Sequence, residues 1–106
     1  MSTPRYKIRY LFPAQDDLLS IIDYIAEDNP TAADKMIDRF EKAIGRLERS
    51  PFAGKVPDDD ELRKRNYRML IVGKYLVFYK VKEKAVEIHR IIHGARDYKH
   101  LLLSHS

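Results

Sequence analysis

From Tyr67 to Asp97 the apolar residues fall into short runs with turn residues between them. Met69 to Val72 is separated from Tyr75 to Tyr79 by Gly73-Lys74. Lys82-Glu83-Lys84 then precedes a third run, Val86 to Ile92. Short β-branched and aromatic runs punctuated this closely predict the strands of an antiparallel meander. Gly73 can take the positive φ that opens a type II′ hairpin turn. In the middle strand Tyr75, Val77, Tyr79 and Val81 alternate with Leu76, Phe78 and Lys80. Both faces are largely apolar, which predicts a central strand covered on both sides. In the last strand, strict alternation puts Glu87, His89, Ile91 and His93 on one side. Val86, Ile88, Arg90 and Ile92 then face the other way.

Upstream, Tyr6, Ile8, Tyr10 and Phe12 recur with period two, a half-buried strand that Pro13 is expected to end. Leu18, Ile21, Ile22 and Ile25 follow at the spacing of one helical stripe, with Asp16, Asp17, Asp23 and Glu27 off it. The two early aspartates suit the positive end of the helix dipole. Asn29-Pro30 reads as an N-cap and first helical position. The second helix is expected to bury Ala33, Met36, Ile37, Phe40, Ile44 and Leu47, and Ser50-Pro51 closes it. A link this short makes the helices an antiparallel pair. Residues 51–66 have no clear period. They read as a solvated surface loop, or carry a single helical turn where acids follow Pro57. Beyond Gly94, residues 95–103 predict a short C-terminal helix with Leu101, Leu102 and Leu103 as its apolar part. The expected fold is α+β in one domain, residues 1–106. It has an N-terminal strand, a helix pair on one sheet face, a three-stranded meander and a short last helix.

Composition changes this picture little. With 106 residues, 44% of them hydrophobic, the chain can bury one core. It has no cysteine, so disulfides and Cys-based zinc sites are excluded and a cytoplasmic location is expected. No apolar run approaches the ~20 residues of a membrane span, and no apolar signal core follows Met1-Ser-Thr-Pro-Arg. A net charge of +4 leans weakly toward acidic partners.

Candidate chemistry is sparse. His89 and His93 are four apart, but along a strand that is roughly 13 Å, too far for two ligands of one metal. His100 and His105 read as solvated, so no metal or other cofactor is expected. The serines lie near termini and helix ends, without a nucleophile motif, and the four glycines are too scattered to cradle phosphate. Lys7, Arg9, Lys64, Arg65, Arg68, Lys80, Arg90 and Arg96, with Tyr67 and Tyr98, are of the types that hold single-stranded nucleic acid. They are equally the ordinary basic residues of strand ends and loops. The second helix alternates charge on its outer face, which argues against a DNA-reading helix.

The stretch R-M-L-I-V-G-K-Y-L-V-F-Y-K-V, followed by V-E-I-H-R-I-I-H-G-A-R-D, resembles the RelE/ParE superfamily of bacterial toxins. So do D-L-L-S-I-I-D-Y-I-A-E-D-N-P-T-A-A-D-K and S-P-F-A-G-K upstream. The likeness runs from about Tyr6 to Leu102. It implies the toxin of a type II toxin–antitoxin pair, of the kind also labelled plasmid-stabilisation proteins. A cognate antitoxin would wrap and neutralise it in a hetero-oligomer.

The superfamily has two branches. The RelE-like branch cleaves mRNA on the ribosome with basic residues on its central strands and a C-terminal aromatic or histidine. The ParE-like branch blocks DNA gyrase and lacks that basic set. Here Leu76 stands where the RelE-like pattern has an arginine, and Leu70 where it often has a lysine. Metal-free RNA cleavage needs a base for the 2′-OH proton and cations for the developing charge, and leucine supplies neither. The H-G-A-R-D ending also resembles the ParE-like branch. The resemblance therefore implies a gyrase inhibitor that acts by binding rather than as an enzyme. The alternatives are a ribonuclease using Arg68, Arg96, Tyr98, Lys64 and Arg65, and a non-toxic homologue that keeps antitoxin binding. Leu70, Leu76 and Phe78 are the expected antitoxin contacts; cover of Leu76 and Phe78 by Leu101 to Leu103 is the competing expectation.

Overall fold

The computed structural model describes residues 5–104; the expectations for the first four residues and for His105 lie outside it. The chain runs β1 (Lys7–Tyr10), α1 (Phe12–Asp28), α2 (Pro30–Gly45), a 3-10 turn (Arg46–Glu48) and α3 (Asp60–Lys64). It ends with β2 (Arg68–Val72), β3 (Tyr75–Lys82), β4 (Ala85–His93) and α4 (Tyr98–Leu103). The fold is the expected α+β arrangement.

The sheet has the order β1-β4-β3-β2. The meander is antiparallel, but β1 runs parallel to β4, with Ile8 opposite Val86, so the sheet is mixed. The helix pair lies between β1 and the meander in sequence. That length of chain lets β1 lie parallel to β4, which no tight hairpin could do. The turns follow from backbone sterics. Gly73 has φ +59° and Lys74 stays at negative φ, the combination of a II′ turn. Glu83 takes φ +55° in the second hairpin at some cost for a residue with a Cβ.

Two apolar layers flank the sheet. The larger joins Phe40, Ile44 and Leu47 to Val77, Tyr79, Val86, Ile88 and Ile91, with the α1 stripe Leu18, Ile21, Ile22 and Ile25 against it. The smaller gathers Leu62, Tyr67, Phe78, Ile92 and Leu102 on the opposite face. The long helix pair thus covers one face, as expected, while α3 and α4 close part of the other. Asn29 caps α2, its side chain accepting from Ala32 N–H at 3.0 Å. The connector does contain a helical turn. Asp59 caps α3 by accepting from Leu62 N–H at 3.1 Å, and Leu62 is fully buried beneath it.

Three sequence expectations need correction. Pro13 opens α1 rather than ending β1, because its fixed φ suits a first turn. Phe12 is therefore helical and 81% exposed, not on the strand's apolar face. The last helix starts at Tyr98, where Asp97 accepts from His100 N–H, and not at residue 95. The alternation in β4 breaks at a bulge. Phe78 pairs with Arg90 but Tyr79 with Ile88, leaving His89 as the extra residue. Ile91 consequently shares the helix-pair layer with Val86 and Ile88, whereas Ile92 joins the other.

Candidate functional site

The start of β2 carries the most constrained polar geometry. Arg68 Nη1 donates to the carbonyls of Phe52 at 3.1 Å and Gly54 at 2.9 Å, and its guanidinium lies 5.0 Å from the Phe52 ring centre. The turn it grips is itself anchored. Gly54 N–H donates to the buried Tyr79 hydroxyl at 2.8 Å, and a Cβ at Gly54 would collide with the Tyr79 ring. Lys55 and Met69 exchange both backbone hydrogen bonds beside it. Burial raises the Tyr79 pKa above the usual tyrosine value, opposed by the Gly54 hydrogen bond and the Arg68 charge. A pocket of about 340 Å³ opens here, lined by Phe52, Val56, Arg63, Asn66, Tyr67 and Arg68.

On the neighbouring strip of the α3/α4 face, Lys80 Nζ sits 4.5 Å from the Tyr67 ring centre. The His89 ring meets Tyr67 edge-on at 5.4 Å. Glu87 joins the two sides, 3.4 Å from His89 Nε2 and 3.8 Å from Lys82 Nζ. Burial holds the Lys80 pKa below its ordinary value, with the Lys82 and Arg65 charges pushing the same way. Burial also holds the His89 pKa down, against the hydrogen bond it makes to the Glu87 carboxylate. The sequence offered a signal for the cations and Tyr67; the bulge that sets His89 beside Tyr67 leaves no mark in composition.

A third constellation is structural. Asp17 on α1 receives Arg90 Nε at 2.7 Å, Arg90 Nη2 at 3.0 Å and the Ile91 N–H at 2.9 Å. β1 ends opposite Ile88, so β4 has an open edge beyond it, and Asp17 caps that edge. The hydrogen bonds that Arg90 donates to Asp17 raise its pKa further.

The residues expected of a ribonuclease do not converge. Lys64 and Arg65 end α3, near the start of β2 and Arg68, and Arg65 lies 3.9 Å from Glu61. Arg68 is level with Tyr79, and the end of β4 at His93 is level with Tyr75. Those levels are four residues apart, roughly 13 Å along the strands, and Arg96 lies exposed beyond His93. Arg68 shares the face of its partner Tyr79, whereas Tyr98 stacks on Phe78 at 5.3 Å on the other. Leu70 faces the helix pair, and Leu76 is half-buried beside α4. Phe78 is fully buried, so the chain's own Leu102, with Leu101 and Leu103 around it, covers this strand face. His89 and His93 lie in a strand, as expected, and face different aromatic rings, Tyr67 and Tyr75. Among the described residues no group of three or more His, Cys, Asp or Glu could hold a metal ion.

A strand, a helix pair, a three-stranded meander and a last helix laid on it define the small toxin fold of the RelE/ParE superfamily. The chain belongs to the family described as the ParE toxin of type II toxin–antitoxin systems, parDE, which it matches over residues 8–98. It is 32% identical over 90 residues to Toxin RelE2 of Caulobacter vibrioides, covering 85% of this chain and 97% of that one. The chromosomal ParDE TA system from P. aeruginosa contains a chain of the same fold. It has a TM-score of 0.69 and 20% identity, over 84% of this chain and 96% of that one. The toxin–antitoxin complex RelBE2 from Mycobacterium tuberculosis contains another, with a TM-score of 0.58 and 26% identity over 84% and 98%.

Proposed function

We propose that this type II toxin acts in the cytoplasm by binding and inhibiting DNA gyrase, and that a cognate antitoxin neutralises it in a hetero-oligomer. One observation carries the choice of mechanism: the cations and tyrosine that RNA cleavage would need are spread over both sheet faces and both strand ends. A charge-dispersing site must hold its groups on one reacting phosphate. Leu76 adds to this, being an apolar side chain beside α4 where a cation would be required. A toxin that works by binding needs only surface. Phe12, Leu19 and Tyr24 on α1, and Ile71 on edge strand β2, are large exposed apolar residues of the kind partners cover. Ile71 is flanked by Arg39, Lys42 and Arg46, which suits an acidic antitoxin segment.

The competing reading, a ribosome-dependent mRNA endonuclease, draws on the C. vibrioides relative called RelE2 and on the grouping of Lys64, Arg65 and Arg68. Purified toxin incubated with gyrase and supercoiled plasmid separates the two. Accumulation of cleaved gyrase–DNA complexes is expected. No accumulation at micromolar toxin, with transcripts cut within codons at the ribosomal A site, would reverse the choice.

A further inference from the structure

Lys80 differs from every other lysine of the chain. Among the described residues all the others are exposed, and Lys80 alone is half-buried. Its Nζ lies 4.5 Å from the Tyr67 ring centre, so an aromatic face stands where a carboxylate or water would otherwise be. Its cross-strand neighbour on β4 is Glu87, but that carboxylate goes to His89 Nε2 at 3.4 Å and Lys82 Nζ at 3.8 Å. Lys80 forms no ion pair among the described residues. Burial favours its neutral amine, the charges of Lys82 and Arg65 add to this, and Glu87 opposes them. Lys99 is the opposite case, because the hydrogen bond it donates to Asp59 at 2.9 Å favours its charged form. A neutral amine offers the lone pair that an electrophile needs, and an ammonium has none. Desolvation beside other cations is the setting that makes a lysine a nucleophile.

The same surroundings select the electrophile. Lys82 and Arg65 are exposed beside the amine. Past Lys82, a pocket of about 440 Å³ is also lined by Lys7, Arg9 and Lys84, with Glu83 and Glu87 as its acids. Positive potential of this kind raises the local concentration of a small anion. We propose that Lys80 is an acylation site, modified without an enzyme by small acyl phosphates. The Nζ lone pair attacks the acyl carbon and forms an amide bond. The bond from that carbon to the phosphate oxygen breaks, phosphate leaves with the electron pair, and the surplus proton of the amine passes to solvent. The product is a neutral side chain, which removes one charge from the strip beside Tyr67. An uncharged acyl donor would meet the same amine but gain nothing from Lys82 and Arg65. This site is independent of the gyrase reading: trapping of cleavage complexes tests that reading and leaves this one untouched.

The test treats the folded, purified toxin with acetyl phosphate near neutral pH and follows each lysine by peptide mass spectrometry. Lys80 should be acetylated several-fold faster than Lys74, which is exposed in the first hairpin turn. Added salt should slow the reaction at Lys80 by screening the donor from its neighbours. Unfolding the toxin in guanidinium should bring the two rates together. Lys82→Gln should slow acetylation of Lys80 and leave Lys74 unchanged. Position 82 is exposed, so this variant is expected to fold, and circular dichroism confirms it beforehand. Acetylimidazole, which carries no charge, should also prefer Lys80, but without the salt dependence. Equal rates at Lys80 and Lys74 in the folded toxin would overturn the proposal. So would a preference for Lys80 that survives unfolding, or one indifferent to both salt and Lys82→Gln.

Discussion

At the scale of single residues, the chemistry that matters is set by burial more than by identity. His89 is a plain strand histidine in the sequence, yet in the fold it lies between Tyr67 and Glu87 with Lys80 and Lys82 nearby. Its folded pKa lies below the ordinary 6.5, chiefly through burial. The unfolded chain therefore binds a proton more readily, and this group makes the fold lose stability as pH falls through the ordinary value, levelling off below the folded pKa. His89→Gln should remove that loss. Urea midpoints across pH 7 to about 5 should fall less steeply for the variant than for the wild type; parallel curves would mean that burial does not govern this histidine. Little of this was legible beforehand. The residue types of the strip were visible, but contacts between strand neighbours across a bulge were not. Arg68 was visible as a cation, while its two carbonyl partners lie 14 and 16 residues away in a connector without periodicity.

Among the elements, those with a repeated apolar spacing were readable. The α1 stripe, the Asn29 cap and the meander all followed from local pattern, because each is fixed by neighbours within a few residues. The failures occurred where one position changes the count. An inserted residue at His89 reverses which side of β4 faces the helices, and Pro13 is as compatible with a helix start as with a strand stop. Asp17 is the clearest case of a long-range role, 73 and 74 residues from the groups it binds. Its side chain and that of Arg90 are 15% and 16% exposed, so the pair is largely removed from water. Asp17→Ala would leave a desolvated guanidinium and an unpartnered edge N–H, at a cost of about 3 kcal/mol. Adding Arg90→Met should recover part of that loss, since an unpaired buried charge costs more than none. Chemical denaturation of the single and double variants checks this. A double variant no more stable than Asp17→Ala would show that packing of α1, not charge pairing, closes this edge.

At the scale of the whole molecule, a mixed four-stranded sheet carries a long helix pair on one face and two short helices on the other. That second cover explains why Phe78 is sealed in. The family was legible because its segments recur in order along nearly the full chain. The target was not, since both branches share this fold and differ in a handful of side chains. Among the described residues, large exposed apolar side chains lie on the outer side of α1, at the Ile71 edge and at Phe52. The claim that the toxin disables gyrase rather than the ribosome is tested most directly in cells, by pulse-labelling DNA and protein synthesis after inducing the toxin without antitoxin. DNA synthesis should collapse first, with protein synthesis following later. An immediate stop in protein synthesis while DNA synthesis continues would contradict the account.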